Sequence, residues 1–510
     1  MAVWPQKYGC LYIDITWKRL LSAYYNLVSN LDRKHLHSQV QDLFGGPMKC
    51  LVCTSVRSGL DLFLSTVDFP KGSEIIFTAI NIPDMVSIVE SHGLKVVPVD
   101  IDLETLAPKE ELLELAITDK TVAILVAHIY GKWIEMDKIV DIAHSNGLLV
   151  LEDCAECFQG LKPKDNENSD LVFYSFGLIK YSTCLGGAVV KVNDGDLLGK
   201  MRTKLESYPV QTSWLFFSKL LKYSMLTCLM NSSLLAWTCI PIFHMFQFDY
   251  KEFFISLLRG YPGQIIPQLH FQPSAALLKV MFDILSNVNE RSFEVAKMKG
   301  DFVGDNMPEN VFIPGKKTRI SNYWLFPIIV DDPNEVRKAL EKEGIEAYQG
   351  ATQLRTVYKT QCDPQSKQAE KITKLSDDLH HSRQLITSPE VAAGVSQPYA
   401  VQTTHSTSGS LLANGVSHTS FSSSAFIEGE TKPAIGNQSS VMNLKKVTKD
   451  ILYPYNAEYL IDHVLYLPVH RNVPLWYLEY VCSAVEKVMK NRSGVQFKNG
   501  KKNIVLPSKL

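Results

Sequence analysis

The chain has no charge excess, few cysteines and little apolar character in its first twenty residues, and each absence narrows its class. Its 52 Lys and Arg nearly balance 53 Asp and Glu, for a formal net charge of -1 over 510 residues. No global basic field therefore marks a nucleic-acid partner. Ten cysteines in 510 residues are too sparse for a disulfide scaffold. The first twenty residues, MAVWPQKYGCLYIDITWKRL, lack an apolar h-region, so no signal peptide is expected. The expected location is cytoplasmic and reducing. No internal repeat is evident.

What the chain does have is apolar mass. Hydrophobic residues make up 46% of it, and the length suits two or three domains. From about residue 50 to 192, apolar runs of strand length alternate with helical patterns. KCLVCT, SEIIFTAI, LKVVPVD, TVAILVAHI and LLVLED read as strands. Between them SGLDLFLSTV, DMVSIVESHG and EMDKIVDIAHSNG read as helices. Strands apolar on both faces, alternating with helices, predict an α/β fold with a mostly parallel sheet flanked by helices. Ligands in such sheets sit at the carboxyl ends of the strands. The large domain is placed at 1–300.

Within it lies an apolar insert at 213–247, uncharged from Tyr223 to Ile242. That is the length of a membrane span. A single crossing would split the fold across a bilayer, because later residues return to it. The segment instead predicts a re-entrant or interfacial helical pair broken at Pro241, making membrane-surface contact. A buried helical hairpin or an oligomer contact is the alternative.

YWLFPIIV reads as a strand and DPNEVRKALEKEGIEAY as a helix followed by a strand. With AEYLIDHVLYLPVH and the helix PLWYLEYVCSAVEKVMK they predict a small C-terminal α+β domain from 301–360 and 447–495. The intervening 361–446 is rich in Ser, Thr, Gln, Asn and Gly. It cannot bury enough apolar surface to order itself and is expected to be disordered.

Three features fall at predicted strand ends. Asp153 closes GLLVLED, where an acid points into the ligand crevice. Lys180 sits alone in the apolar, aromatic stretch LVFYSFGLIKYSTCLGGAVVKV, ahead of Gly186-Gly187. CTSVRSGL turns from strand to helix with small polar residues, which suits an anion at a helix N-terminus. Together they suggest pyridoxal phosphate, which needs a lysine for its Schiff base, a carboxylate for its ring nitrogen and donors for its phosphate. A structural Asp153–Lys180 salt bridge is the alternative.

The wider sequence resembles the DegT/DnrJ/StrS family of pyridoxal-phosphate-dependent, fold-type-I sugar aminotransferases. The similarity runs from about Leu51 to Val190 and resumes in the small domain. It is carried by GSEIIFTAINIPDMVSIVESHGLKVVPVDID, by AILVAHIYGKWIEMDKIVDIAHSNGLLVLEDCAECFQG with its His128-Ile129-Tyr130-Gly131, and by YSFGLIKYSTCLGGAVV. The resemblance implies that Lys180 bonds the cofactor and later moves the proton, and that Asp153 pairs with the pyridine nitrogen. It implies that Ser175 and the amides around Ser55, Val56 and Arg57 hold the phosphate. It also implies a homodimer, a keto-sugar substrate carried on a nucleotide, and an amino acid donor such as glutamate; the apolar insert at 213–247 adds the expectation of a lipid-linked or membrane-delivered substrate. Dehydratases of the family carry histidine where Lys180 stands, so the lysine favours transamination.

Several positions depart from the family pattern. Val56-Arg57 replaces Gly-Thr at the phosphate turn, and Arg57 could bind phosphate bidentately or lie at the surface. Ile82 replaces the aromatic that covers the ring. Glu156 replaces Gln or His, bringing a second carboxylate that must be protonated or paired. Gly177-Leu178-Ile179 replaces His-Pro-Thr, and no Asn-Tyr motif precedes FQPSAALL. The competing expectation is therefore a non-catalytic binding or scaffold relative. The pairs Cys50/Cys53 and Cys154/Cys157 are expected to be packed thiols and no metal site is expected: Cys50 and Cys53 lie on a strand, where residues i and i+3 face opposite sides, and Cys154 and Cys157 flank the acid Asp153 at positions that are often small in the family. His128 is expected to be structural. The Asn231, Asn437 and Asn491 sequons carry no weight without a secretory signal.

Overall fold

The computed structural model describes residues 8–162, 165–231, 265–350, 352–358 and 452–492. Two helices, α1 (Trp17–Val28) and α2 (Arg33–Asp42), precede β1 (Cys50–Cys53) and α3 (Val56–Val67). Next come β2 (Glu74–Thr78), β3 (Ile80–Asn81), α4 (Pro83–Ser91), β4 (Lys95–Val99), α5 (Glu110–Ala116), β5 (Thr121–Ala127), α6 (Asp137–Ser145), β6 (Leu149–Asp153), β7 (Leu171–Ser175) and β8 (Ala188–Val192). Helices α7 (Gly195–Glu206), α8 (Ser213–Asn231), α9 (Ile266–Leu269), α10 (Ala275–Leu285) and α11 (Glu290–Asp305) follow. The C-terminal elements are β9 (Phe326–Ile329), α12 (Pro333–Lys342), β10 (Arg355–Thr356), α13 (Tyr455–His463), β11 (Val464–Leu467) and α14 (Leu475–Arg492).

Seven strands form one sheet in the order β1-β8-β7-β6-β5-β2-β4. Strands β4, β2, β5, β6 and β7 run parallel, while β8 pairs antiparallel with both β7 and β1. Nearly every residue of these strands is buried, as a sheet covered on both faces requires. This is the α/β arrangement expected from the alternating pattern. It places the carboxyl ends of β5, β6 and β7, and the β1–α3 turn, along one edge.

Helix α3 begins two residues earlier than its apolar periodicity indicates. Ser55 is its N-cap and accepts a bond from the Ser58 N–H, and Ser58 accepts from the Ser55 N–H in return. This capping box satisfies two first-turn donors and draws Val56 and Arg57 into the helix. The expected strand YWLFPIIV is also shorter, starting at Phe326. Asn322 Oδ1 accepts the Trp324 N–H at 2.9 Å and Tyr323 takes φ 48°. An Asx turn competes with the ladder there.

A second buried cluster joins β9, β11, α12 and α14 through Phe326, Ile328, Val336, Leu465, Leu467 and Val485. The described residues of 1–360 and 447–510 form one compact unit. The segment 361–446, expected to be disordered, lies outside the described residues apart from this boundary, as do 232–247 of the apolar insert. Among the described residues, no helix is long and apolar enough to cross a membrane.

Candidate active site

One cavity of about 680 Å³ opens at the carboxyl edge of the sheet. The positions assigned to the cofactor from the sequence all line it: Ser55, Val56, Arg57, Ile82, Asp153, Glu156, Ser175 and Lys180. They arrive from the β1–α3 turn, the start of α4, the ends of β6 and β7, and the loop that returns to β8.

Asp153 ends β6 with its carboxylate buried. Its Oδ1 accepts the Ala155 N–H at 3.0 Å. Burial raises its pKa, and the Ala155 bond and the Lys180 charge oppose that rise. Lys180 pairs with Glu156, Nζ to Oε1 at 3.3 Å. The ion pair read as an alternative to cofactor chemistry, Asp153 with Lys180, is not the one formed. Glu156 answers its own charge problem: Oε1 faces Lys180 and Oε2 accepts the Tyr130 N–H at 2.8 Å. Burial raises the Glu156 pKa, opposed first by Lys180 and then by that N–H.

Lys180 also stands 4.1 Å from the centroid of the Trp324 ring, within cation–π range. The Trp324 Nε1–H donates to the Ile179 carbonyl at 2.8 Å, so the ring and the lysine loop hold each other. Sequence reading missed Trp324, which lay inside an expected strand. Asn322, a turn residue two positions earlier, was the available signal.

Arg57 reaches across the cavity wall. Its Nε meets Asp84 Oδ2 at 2.6 Å and its Nη2 donates to Gln353 Oε1 at 3.0 Å. It thus ties α3 to α4 and to the 352–354 wall. Ile82 is the N-cap residue of α4, half-buried, with its N–H donating to Asn81 Oδ1. His128 is buried, bonded to Glu152 through Nε2 at 2.9 Å, and accepts the Ile134 N–H at Nδ1. That bond makes Nδ1 the acceptor and Nε2–H the donor. His128, Glu152 and Cys154 offer three clustered donor atoms, but the imidazole nitrogens are both engaged in these bonds. Cys157 instead donates to the carbonyls of His128 and Lys132.

The lining suits a small, phosphorylated, charged ring. It presents an amine, a buried carboxylate, a hydroxyl from Ser175 and the N-terminal turn of a twelve-residue helix. Two further buried wall atoms, Asn81 Nδ2 and Gln211 Oε1, have no hydrogen-bond partner among the described residues. Buried polar atoms of this kind call for a polar ligand or water. The residues present fit pyridoxal phosphate.

Residues 33–219 match the DegT/DnrJ/EryC1/StrS aminotransferase family. This is the family the sequence was read as resembling. GDP-perosamine synthase of Caulobacter vibrioides is 32% identical over 161 residues, 31% of this chain and 43% of that protein. GDP-perosamine synthase of Escherichia coli O157:H7 is 31% identical over 191 residues, 36% of this chain and 49% of that protein. The chain therefore covers under half the length of these curated relatives. Among solved structures, the aminotransferase TlmJ from Streptoalloteichus hindustanus superposes with TM-score 0.56 at 12% identity, over 95% of this chain and 100% of that chain. At that identity the likeness is one of fold alone. The DegT/DnrJ/EryC1/StrS match ends inside α8, at Lys219. Trp324, Gln353 and the Gln268–Phe271 wall of the cavity lie beyond it.

Proposed function

We propose that this chain is a pyridoxal-phosphate-dependent aminotransferase that moves an amino group from an amino acid to a keto sugar carried on a nucleotide or a lipid. The observation that carries this reading is the convergence of Lys180, Asp153, Ser175 and the α3 N-terminus on one cavity. Bound there, pyridoxal phosphate would supply the electron sink for the bond broken at the amino-bearing carbon. Lys180 is assigned the covalent attachment and the proton transfer at Nζ. Asp153 holds the proton on the ring nitrogen, the charge that offsets its burial. Ser175 and the first-turn amides of α3, around Ser55, Val56 and Arg57, bind phosphate. Ile82 covers the ring as an aliphatic wall, and Glu156 holds the Lys180 amine in line. Lys219 and Lys222, half-buried on the cavity wall, suit a phosphorylated acceptor. A homodimer, a cytoplasmic location and a membrane-surface contact through 213–247 belong to the same reading.

One observation favours a second reading. Arg57 is held by Asp84 and Gln353 at the turn where the family carries Gly-Thr, and an altered phosphate cup suits a non-catalytic binding or scaffold protein. Purified full-length protein decides between them. The enzyme is expected to show a visible absorption band that Lys180→Ala removes, and sugar amination that depends on an amino acid donor. Colourless protein that cannot be reconstituted with pyridoxal phosphate overturns the enzyme reading.

A further inference from the structure

Helix α1 is apolar on both sides. Its inner face buries Leu20 and Ala23. Its outer face sets Trp17, Leu21, Tyr25 and Val28 at positions i, i+4, i+8 and i+11, between 50% and 83% exposed. Such spacing makes one stripe on a helix, and a soluble surface helix carries polar residues there.

Helix α8 lies against α1. Tyr24 Oη and Ser224 Oγ are 2.9 Å apart, and the Tyr24 ring meets Phe217 edge-on. The periodicity of α8 divides it into three faces. Phe216, Leu220 and Thr227 are buried. Leu215, Lys219 and Lys222 line the cavity. Trp214, Leu221 and Met225 are between 47% and 70% exposed, forming a second outward apolar stripe.

Neither helix contains an aspartate or glutamate, while Lys18 and Arg19 of α1 are cationic and the two α8 lysines face the cavity. The sequence after Lys222 then runs uncharged from Tyr223 to Ile242. Among the described residues no helix can span a bilayer, so a lipid contact by these two helices lies in the membrane plane. Interfacial helices of this kind present aromatic and aliphatic side chains to the acyl boundary and cations to the headgroups. A second copy of the chain fits less well. A twofold contact sets the same patch against itself and would bring like charges together.

We propose that α1 and α8 together form a docking face for an anionic lipid surface, with Trp17, Leu21, Tyr25, Trp214, Leu221 and Met225 entering the headgroup–acyl boundary. This rests on the contact through 213–247 in the functional reading and adds a helix remote from it in sequence. On α8 the outward stripe adjoins the cavity-lining face, so the cavity opens beside the lipid.

Flotation of full-length protein with phosphatidylcholine vesicles, with and without phosphatidylserine, tests the face. The protein should float with the anionic vesicles, less so at high salt. The triple change Trp17→Ser, Leu21→Ser, Tyr25→Ser should cut partition by about tenfold or more, as should Trp214→Ser with Leu221→Ser. Because these side chains are exposed, circular dichroism should stay unchanged. Wild-type protein that fails to float overturns the proposal. So does unchanged flotation of the α1 variant; if deletion of 232–247 still abolishes binding, the contact belongs to the insert alone. Variants that alter sedimentation mass but not flotation overturn it in favour of self-association.

Discussion

Glu156 carries three duties that its position after Asp153-Cys154-Ala155 does not advertise. Its two carboxylate oxygens serve Lys180 Nζ and the Tyr130 N–H, and its backbone carbonyl accepts from Asn322 Nδ2 at 3.3 Å. Tyr130 is buried at φ 60° and is followed by Gly131 at φ 78°. That strained turn needs an acceptor for its amide. Glu156→Ala leaves the Tyr130 N–H buried without one, which should cost about 1–3 kcal/mol. Glu156→Gln keeps an acceptor of nearly the same shape and should stay within about 1 kcal/mol of wild type, while removing the charge opposite Lys180. Urea unfolding of the two variants separates these roles. Equal losses would show that charge, and not the hydrogen bond, supports the turn.

At the scale of elements, the contact between α11 and the 321–324 turn matters most to the site. A Cβ on Gly300 would sit 2.2 Å from the Tyr323 ring. That ring is also held by its hydroxyl on Asp301 at 2.7 Å and lies under Lys132 Nζ at 4.0 Å. Gly300→Ala would gain about 1 kcal/mol of helix propensity. Overpacking of about 1–3 kcal/mol opposes it, and the ring, held by Asp301 and Lys132, cannot swing aside. The variant should lower the urea midpoint and disturb the adjoining Trp324; a raised midpoint would show that the ring yields. This contact also marks where the sequence stopped being legible. Lys180, Asp153 and the Ser55 turn could be found because each adjoins an apolar strand, whose end fixes its place. Trp324, Gln353 and Gln268 reach the cavity from segments far along the chain, and no local pattern encodes that approach. Arg57 was legible as a cavity candidate, but its choice of Asp84 and Gln353 depends on α4 and the 352–354 wall meeting it in space.

At the scale of the molecule, three distant segments close around the lysine loop. Asp14 accepts the Ser182 N–H at 2.8 Å and pairs with Arg471. Tyr181 donates to the Tyr323 carbonyl at 3.0 Å. The Tyr12 ring stacks on His470 with centroids 4.3 Å apart. His470 is buried, and burial, with Lys299 and Arg471 nearby, lowers its pKa from 6.5 to about 4. Between those two values the unfolded chain takes up a proton that the folded chain refuses. Stability must therefore rise with pH across that window. It is complete above pH 6.5, declines as pH falls toward 4, and His470 draws no further loss below. His470→Gln cannot titrate, so its urea midpoint should depend less steeply on pH between 6.5 and 4 than the wild-type midpoint does. Parallel slopes for the two proteins would move the acid sensitivity to other groups. Asp153 and Glu156 act with the opposite sign: burial raises their pKa values, so the folded chain holds their protons longer as pH rises, and they stabilise on acidification. The acid limb of the wild-type curve is thus a contest between imidazoles, His470 and His37, and carboxyls such as Asp14, Asp153 and Glu156, all shifted by burial, and the His470→Gln slope removes the share of His470 from it.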